Sequence, residues 1–200
     1  MNRFIARVNY VGRVPELTAV RRDRFLRAAI SCFSRYGYRR TSMEAIAESA
    51  EVSRPALYQY YRNKEEIFRD AVKWGLEDLA ARASREASKP GEVAPRLSAV
   101  LSVVLMMHFP RDGARFPAEL VDETRARAGD HWRAFEHSMI DTLVTVLHAA
   151  GAAATSLDDA AHVLFYGAKG IAMQLDDRRE AARRLEHLTH AVTYGTPGLR

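Results

Sequence analysis

One cysteine among 200 residues leaves no partner for an intrachain disulfide. Cys32 lies in an apolar helical pattern, where it reads as a small buried filler rather than a reactive thiol, in keeping with a reducing cytosol. No apolar run is long enough to cross a bilayer, which excludes a membrane partner. Arg3, Arg7 and Arg13 interrupt the N-terminus where a signal peptide needs a continuous apolar stretch, so the expected location is cytoplasmic. Strand-like alternation and internal repeats are also lacking. Polar clusters exist, namely His187 and His190 beside Glu186, His131 with His137, and Asp122 with Glu123. None has a nucleophile or a third metal ligand at a telling spacing, so no enzyme, metal or cofactor is expected.

An apolar content of 48% is enough to bury a core, and the length allows a small domain fused to a larger one. The charge is uneven. Residues 1–64 hold thirteen Lys or Arg against five Asp or Glu, a net +8, and the remainder holds seventeen against twenty, a net −3. A basic excess confined to one third of the chain suits a polyanionic partner there.

The pattern is helical throughout, and an all-α fold of about nine helices is expected. Residues 1–19 carry the breakers Gly12 and Pro15 and form an N-terminal extension, either frayed or acting as a basic arm toward DNA. Arg21 to Tyr36 places Leu26, Ala29, Ile30 and Phe33 at helical spacing, and Gly37 ends the helix. Thr41 with Glu44 has the spacing of a capping box, ahead of a helix that packs through Ile46, Ala47 and Ala50. After a turn at Glu51 and Val52, Ser53 is a second cap and Pro55 suits a first helical turn. Asn63 with Glu66 is a third, opening a helix through about Arg85 with a stripe of Ile67, Phe68, Ala71, Val72, Gly75, Leu76 and Leu79. Ser88 to Gly91 punctuates the chain. Further helices are expected over Val93 to Phe109, Pro117 to Ala128, Asp130 to Ala150, Asp158 to Leu175 and Arg178 to Tyr194.

Two short capped helices about three residues apart form a helix-turn-helix. On the second, Arg54 suits guanine or phosphate, Gln59 suits adenine, and Ala56 or Tyr58 can touch a thymine methyl. Thr41, Ser42, Tyr60 and Lys64 suit phosphate, with Ser53 and Pro55 at the helix start, whereas Leu57 and Tyr61 pack inward. Domains are expected at 20–64 for this DNA-binding unit and 65–200 for an effector-binding and dimerisation unit, with 65–85 as the connecting helix.

From about Phe25 to Phe68 the chain resembles the DNA-binding region of the TetR family of bacterial transcriptional regulators. The likeness lies in Phe33, Gly37 and Tyr38, in Thr41-Ser42 with Ile46-Ala47, in Val52-Ser53, in Leu57-Tyr58 with Tyr61, and in Asn63-Lys64-Glu65. Glu51 departs from it, since the family usually has glycine in that turn. The resemblance implies a homodimer that binds a palindromic operator in double-stranded DNA, usually as a repressor, with an effector pocket in its C-terminal half.

The two terminal helices support dimerisation independently, since a four-helix bundle with their copies would cover their apolar residues. The expected interface is Ala161, Leu164, Ala168, Ile171, Ala172, Leu175, Leu185, Leu188 and Val192. Met106, Met107, Phe109, Phe116, Trp132, Phe135, Met139, Phe165, Tyr166 and Met173 are the candidate lining of an apolar pocket for an unidentified apolar or aromatic effector. The alternatives are a regulator without an effector and a metal-responsive one using the C-terminal histidines.

Overall fold

The computed structural model describes residues 15–109, 117–150 and 157–195, and among them every regular element is a helix. Nine helices follow in order: α1 (Pro15–Arg40), α2 (Met43–Ser49), α3 (Arg54–Tyr58), α4 (Lys64–Ala87), α5 (Val93–His108), α6 (Pro117–Arg127), α7 (Gly129–Ala149), α8 (Leu157–Gln174) and α9 (Arg178–Gly195). The all-α expectation holds.

The N-terminal boundary is corrected. α1 begins at Pro15, inside the expected 1–19 extension; the rest of that extension lies outside the described residues. A proline opens a helix well because its missing N–H has no intrahelical use there. Gly37 interrupts α1 at φ 75°, a left-handed conformation that a side chain disfavours. The residues after it turn toward α2.

Two cores form. In the reading head, Phe25, Leu26, Phe33, Ile46, Leu57, Tyr61, Ile67, Phe68 and Ala71 are buried together. Phe33 and Phe68 meet edge to face at 4.9 Å, and Tyr38 meets Phe68 in the same way at 4.9 Å. Burying each such ring stabilises by on the order of 2–3 kcal/mol. The bundle core gathers Leu76 and Ala83 of α4 with side chains from α5 through α9.

α4 therefore serves both cores, with Val72 packed against each. This moves the change of core from residue 64 to about residue 72, because the first two turns of α4 supply Ile67, Phe68 and Ala71 to the head. At its other end, the Arg96 guanidinium caps α4 by donating to the Ala87 carbonyl at 2.5 Å.

Candidate nucleic-acid interface

The helix-turn-helix is set by its caps. Ser42 Oγ accepts from the Ala45 amide at 3.1 Å, Ser53 Oγ from the Ala56 amide at 3.4 Å, and Asn63 Oδ1 from the Glu66 amide at 2.8 Å. Glu66 completes the third cap by accepting from the Arg62 amide at 2.8 Å. The first cap belongs to Ser42 rather than Thr41.

Thr41 is 2% exposed, and its hydroxyl donates inward to the Gly37 carbonyl at 2.8 Å and sits 3.2 Å from that of Cys32. The phosphate contact expected of Thr41 is thereby corrected, since its one hydroxyl hydrogen bonds α1. Ser42 itself is exposed at the α2 N-terminus.

On α3 and its end, Ser53, Arg54, Pro55, Tyr58 and Gln59 are exposed, Ala56 and Tyr60 are half-buried, and Leu57 and Tyr61 are buried. The unit thus presents its base-reading candidates on one side and its anchors on the other. Tyr60 also has a packing role, with its ring edge to face against Phe25 at 5.2 Å. Tyr61 donates its hydroxyl to Asp70 at 2.9 Å, and Arg22 forks onto the same carboxylate at 2.7 and 3.1 Å. Burial raises the Asp70 carboxyl, but these hydrogen bonds outweigh it and hold it below the usual carboxylate range.

Arg54 carries a contact that sequence spacing did not indicate. Its guanidinium pairs with Glu44 of α2 at 2.7 Å and lies 5.3 Å from the Tyr58 ring centre. Glu44, expected as half of a capping box, instead pairs with Arg54, as well as bonding its own amide. An exposed pair of this kind contributes little stability, yet it sets where the arginine starts from.

Lys64 also takes a different part from the phosphate contact expected of it. Its ammonium donates to the Tyr38 carbonyl at 2.9 Å and the Arg39 carbonyl at 3.2 Å, and it sits 4.6 Å from the Tyr38 ring centre. Burial, with Arg127 nearby, lowers its pKa below the usual lysine value. Two of its three hydrogens thus fasten the end of α1 to the start of α4, and one remains for phosphate. Arg127 of α6 lies over the Tyr38 ring at 4.0 Å, and Arg69 pairs with Asp130 of α7 at 2.8 Å, so the head is joined to the bundle through charged contacts. These partners lie 58 or more residues apart for Arg69, beyond any local sequence signal.

Glu51 occupies the turn with φ 52°, the one positive value outside glycine among the described residues. A side chain there costs roughly 1 kcal/mol. Arg24 of α1 answers it, reaching the Glu51 carboxylate at 2.9 Å and its carbonyl at 3.2 Å. The arginine both neutralises the exposed Glu51 carboxylate and holds the left-handed turn.

In the C-terminal half, several expectations are corrected. Ala161, Leu164, Ala168, Ala172 and Leu185 are buried within the chain's own core, and Ile171, Leu175, Leu188 and Val192 pack against it. The five buried side chains are turned by α8 and α9 toward α5 and α7, while Ile171, Leu175, Leu188 and Val192 stay partly exposed. The outward stripe of α8 is Val163, Tyr166 and Met173, exposed by 55%, 50% and 58%, with Tyr194 of α9 also outside. Tyr166 and Met173 are therefore surface residues and not pocket lining.

Phe135, Met139 and Phe165 are core, and Phe116 lies outside the described residues. Met106, Met107, Phe109 and Trp132 do line a cavity of about 530 Å³, together with residues of α1, α4 and α6. His187 and His190 are exposed on α9, with His190 against Tyr194 at 4.2 Å. Among the described residues, no three His, Cys, Asp or Glu side chains converge as metal ligands.

A capped, buttressed helix-turn-helix is an architecture that can place its second helix in the major groove of DNA. Residues 25–71 match the family profile described as bacterial regulatory proteins, tetR family. It is 33% identical over 70 residues to the uncharacterised HTH-type transcriptional regulator YhgD of Bacillus subtilis, covering 35% of this chain and 36% of that one. It is 34% identical over 68 residues to the HTH-type transcriptional repressor Rv1474c of Mycobacterium tuberculosis, covering 34% and 36%. The chain thus spans about a third of the length of these relatives. A crystal structure of a transcriptional regulator from Rhodococcus sp. Rha1 superposes with a TM-score of 0.71 at 21% identity, over 88% of this chain and 97% of that one. That likeness extends the shared fold to the bundle. No helix among the described residues is long and apolar enough to cross a membrane.

Proposed function

We propose that the chain is a dimeric transcriptional regulator, acting as a repressor on a palindromic operator and released from it by a small apolar or aromatic effector. The observation that carries this is the grouping of Arg54, Tyr58 and Gln59 on the exposed side of a helix whose opposite side, Leu57 and Tyr61, is buried. Ser42 and the remaining Lys64 hydrogen flank it toward phosphate, Ser53 and Pro55 set its start, and Ala56 and Tyr60 complete its surface.

Fluorescence anisotropy on DNA from upstream of the chain's own gene tests the reading. Arg54→Ala is expected to weaken binding by about tenfold or more, as loss of a base-contacting arginine does. Equal affinity of Arg54→Ala and the parent chain would remove α3 from the interface.

Two copies bring the half-sites together if they pair through Val163, Tyr166, Met173 and Tyr194, an exposed apolar stripe that a monomer would leave in water. Val163→Glu with Met173→Glu is expected to yield monomers in sedimentation velocity. Effector response is supported by the cavity that includes Met106, Met107, Phe109 and Trp132.

A further inference from the structure

The cavity is not enclosed by the bundle alone, because one wall is α1 of the reading head. Arg27, Ile30, Ser31, Ser34 and Arg35 line it, at helical spacings that set them on one face. Its floor is apolar, with Val72, Leu76 and Leu79 of α4, Met107 of α5, Val121 of α6 and Trp132 of α7. A volume of about 530 Å³ falls within the range of small-molecule sites, roughly 300–1,000 Å³.

The three arginines on the rim differ. Arg82 is neutralised by Asp78 at 2.7 Å. Arg27 lies over Trp74 at 5.1 Å and Arg35 over Tyr36 at 5.7 Å, and neither has a carboxylate partner among the described residues. Two uncompensated guanidinium groups above an apolar floor select a ligand with both properties. A cation would be repelled, a neutral hydrocarbon would leave the arginines unused, and a small inorganic anion would leave the floor uncovered.

We propose that this cavity between head and bundle binds an amphipathic organic anion, an apolar body carrying one carboxylate or sulfonate, with the anionic end at Arg27 and Arg35. The site deepens the effector reading and rests on it for its regulatory meaning. A ligand held by α1 on one side and by α5, α6 and α7 on the other responds to the angle between head and bundle. DNA, which fixes that angle in a dimer, is then coupled to the ligand, and the coupling is reciprocal.

The test uses the full chain and two probes that share a fused-ring body: 8-anilinonaphthalene-1-sulfonate, an anion, and N-phenyl-1-naphthylamine, which is uncharged. The anionic probe is expected to saturate at one per chain. Arg27→Gln with Arg35→Gln, both exposed and safe for folding, is expected to weaken the anionic probe by about tenfold while leaving the neutral one within about twofold. Leu79→Trp, which fills the floor, is expected to weaken both. Unsaturable anionic-probe binding, an arginine double variant that binds it as the parent does, or a Leu79→Trp chain that binds both unchanged would each overturn the site. DNA anisotropy on the same preparations, without probe, separates the two readings. A chain that binds DNA but no probe refutes the site alone, and one that binds probe but no DNA refutes the regulator.

Discussion

The reading head and the bundle are packed with similar side chains, but they draw them from very different stretches of chain. The head core comes from residues between Phe25 and Ala71, one short continuous stretch, whereas the bundle core joins Leu76 to Leu185. In the head, the helix caps are local interactions within a few residues, and the Glu51 turn is held from α1 by Arg24. In the bundle, geometry depends on which side of each helix meets a distant partner. Local chemistry thus suffices for a small reading unit, and long-range packing is needed to say what the larger unit buries and what it shows. α4 crosses from one regime to the other.

The sharpest way to break this contrast is Phe68→Ala, which empties the centre of the head core at the start of α4. A loss of about 3–5 kcal/mol is expected in urea unfolding. A single transition is expected because α4 carries both cores, and two separated transitions would show the halves to be independent. Next, Gly167→Ala probes the bundle, where an added Cβ would come 2.7 Å from Leu188 Cδ2 at the α8–α9 contact. Overpacking there is expected to cost about 1–3 kcal/mol, read as a lowered thermal midpoint. An unchanged midpoint would mean that Leu188 simply rotates aside.

A smaller effect concerns the Arg22–Asp70–Tyr61 group, where the folded carboxyl lies below its usual range. The unfolded chain therefore takes up the proton first as pH falls. The stabilisation is intact above about pH 4, the ordinary carboxylate value, and is lost as pH falls through the depressed folded value. Asp70→Asn is expected to flatten this acid-side slope in denaturation midpoints measured across pH 2–6, a change of about 1 kcal/mol or less for so exposed a pair.

The smallest effect tests whether the Glu51 turn is a local matter. Arg24→Ala is expected to destabilise by about 0.5–1 kcal/mol with Glu51 in place, and by less once Glu51→Gly removes the left-handed cost and the carboxylate and leaves only the backbone carbonyl. Equal costs in the two backgrounds would mean that Arg24 acts elsewhere.

The helix count, the Ser53 and Asn63 caps, the inward Leu57 and Tyr61 and a break in the helical backbone at Gly37 were all legible from residue type and spacing. Thr41 was misassigned because Thr41 and Ser42 are adjacent hydroxyls, and only burial shows that one faces α1 while the other caps α2. The roles of Glu44 and Lys64 were hidden for a related reason. Exposed charges fit many partners in sequence, and the fold chooses Arg54 for one and the α1 carbonyls for the other. On α8 and α9 the period was right, but the buried members of the stripe face the chain's own core. A stripe of small and apolar residues suits a neighbouring helix equally well whether it belongs to the same chain or to a copy.

Amino-acid order alone was enough for an all-helical chain with a basic, capped helix-turn-helix, because propensity, capping and charge act over a few residues. Tertiary structure alone decided that Ala161, Leu164, Ala168, Ala172 and Leu185 are core, that Val163, Tyr166 and Met173 face outward, and that α1 walls the cavity. Those outcomes depend on how helices distant in sequence fit together. Helical periodicity states that a helix has a buried side, and only the packed neighbour determines what that side is buried against.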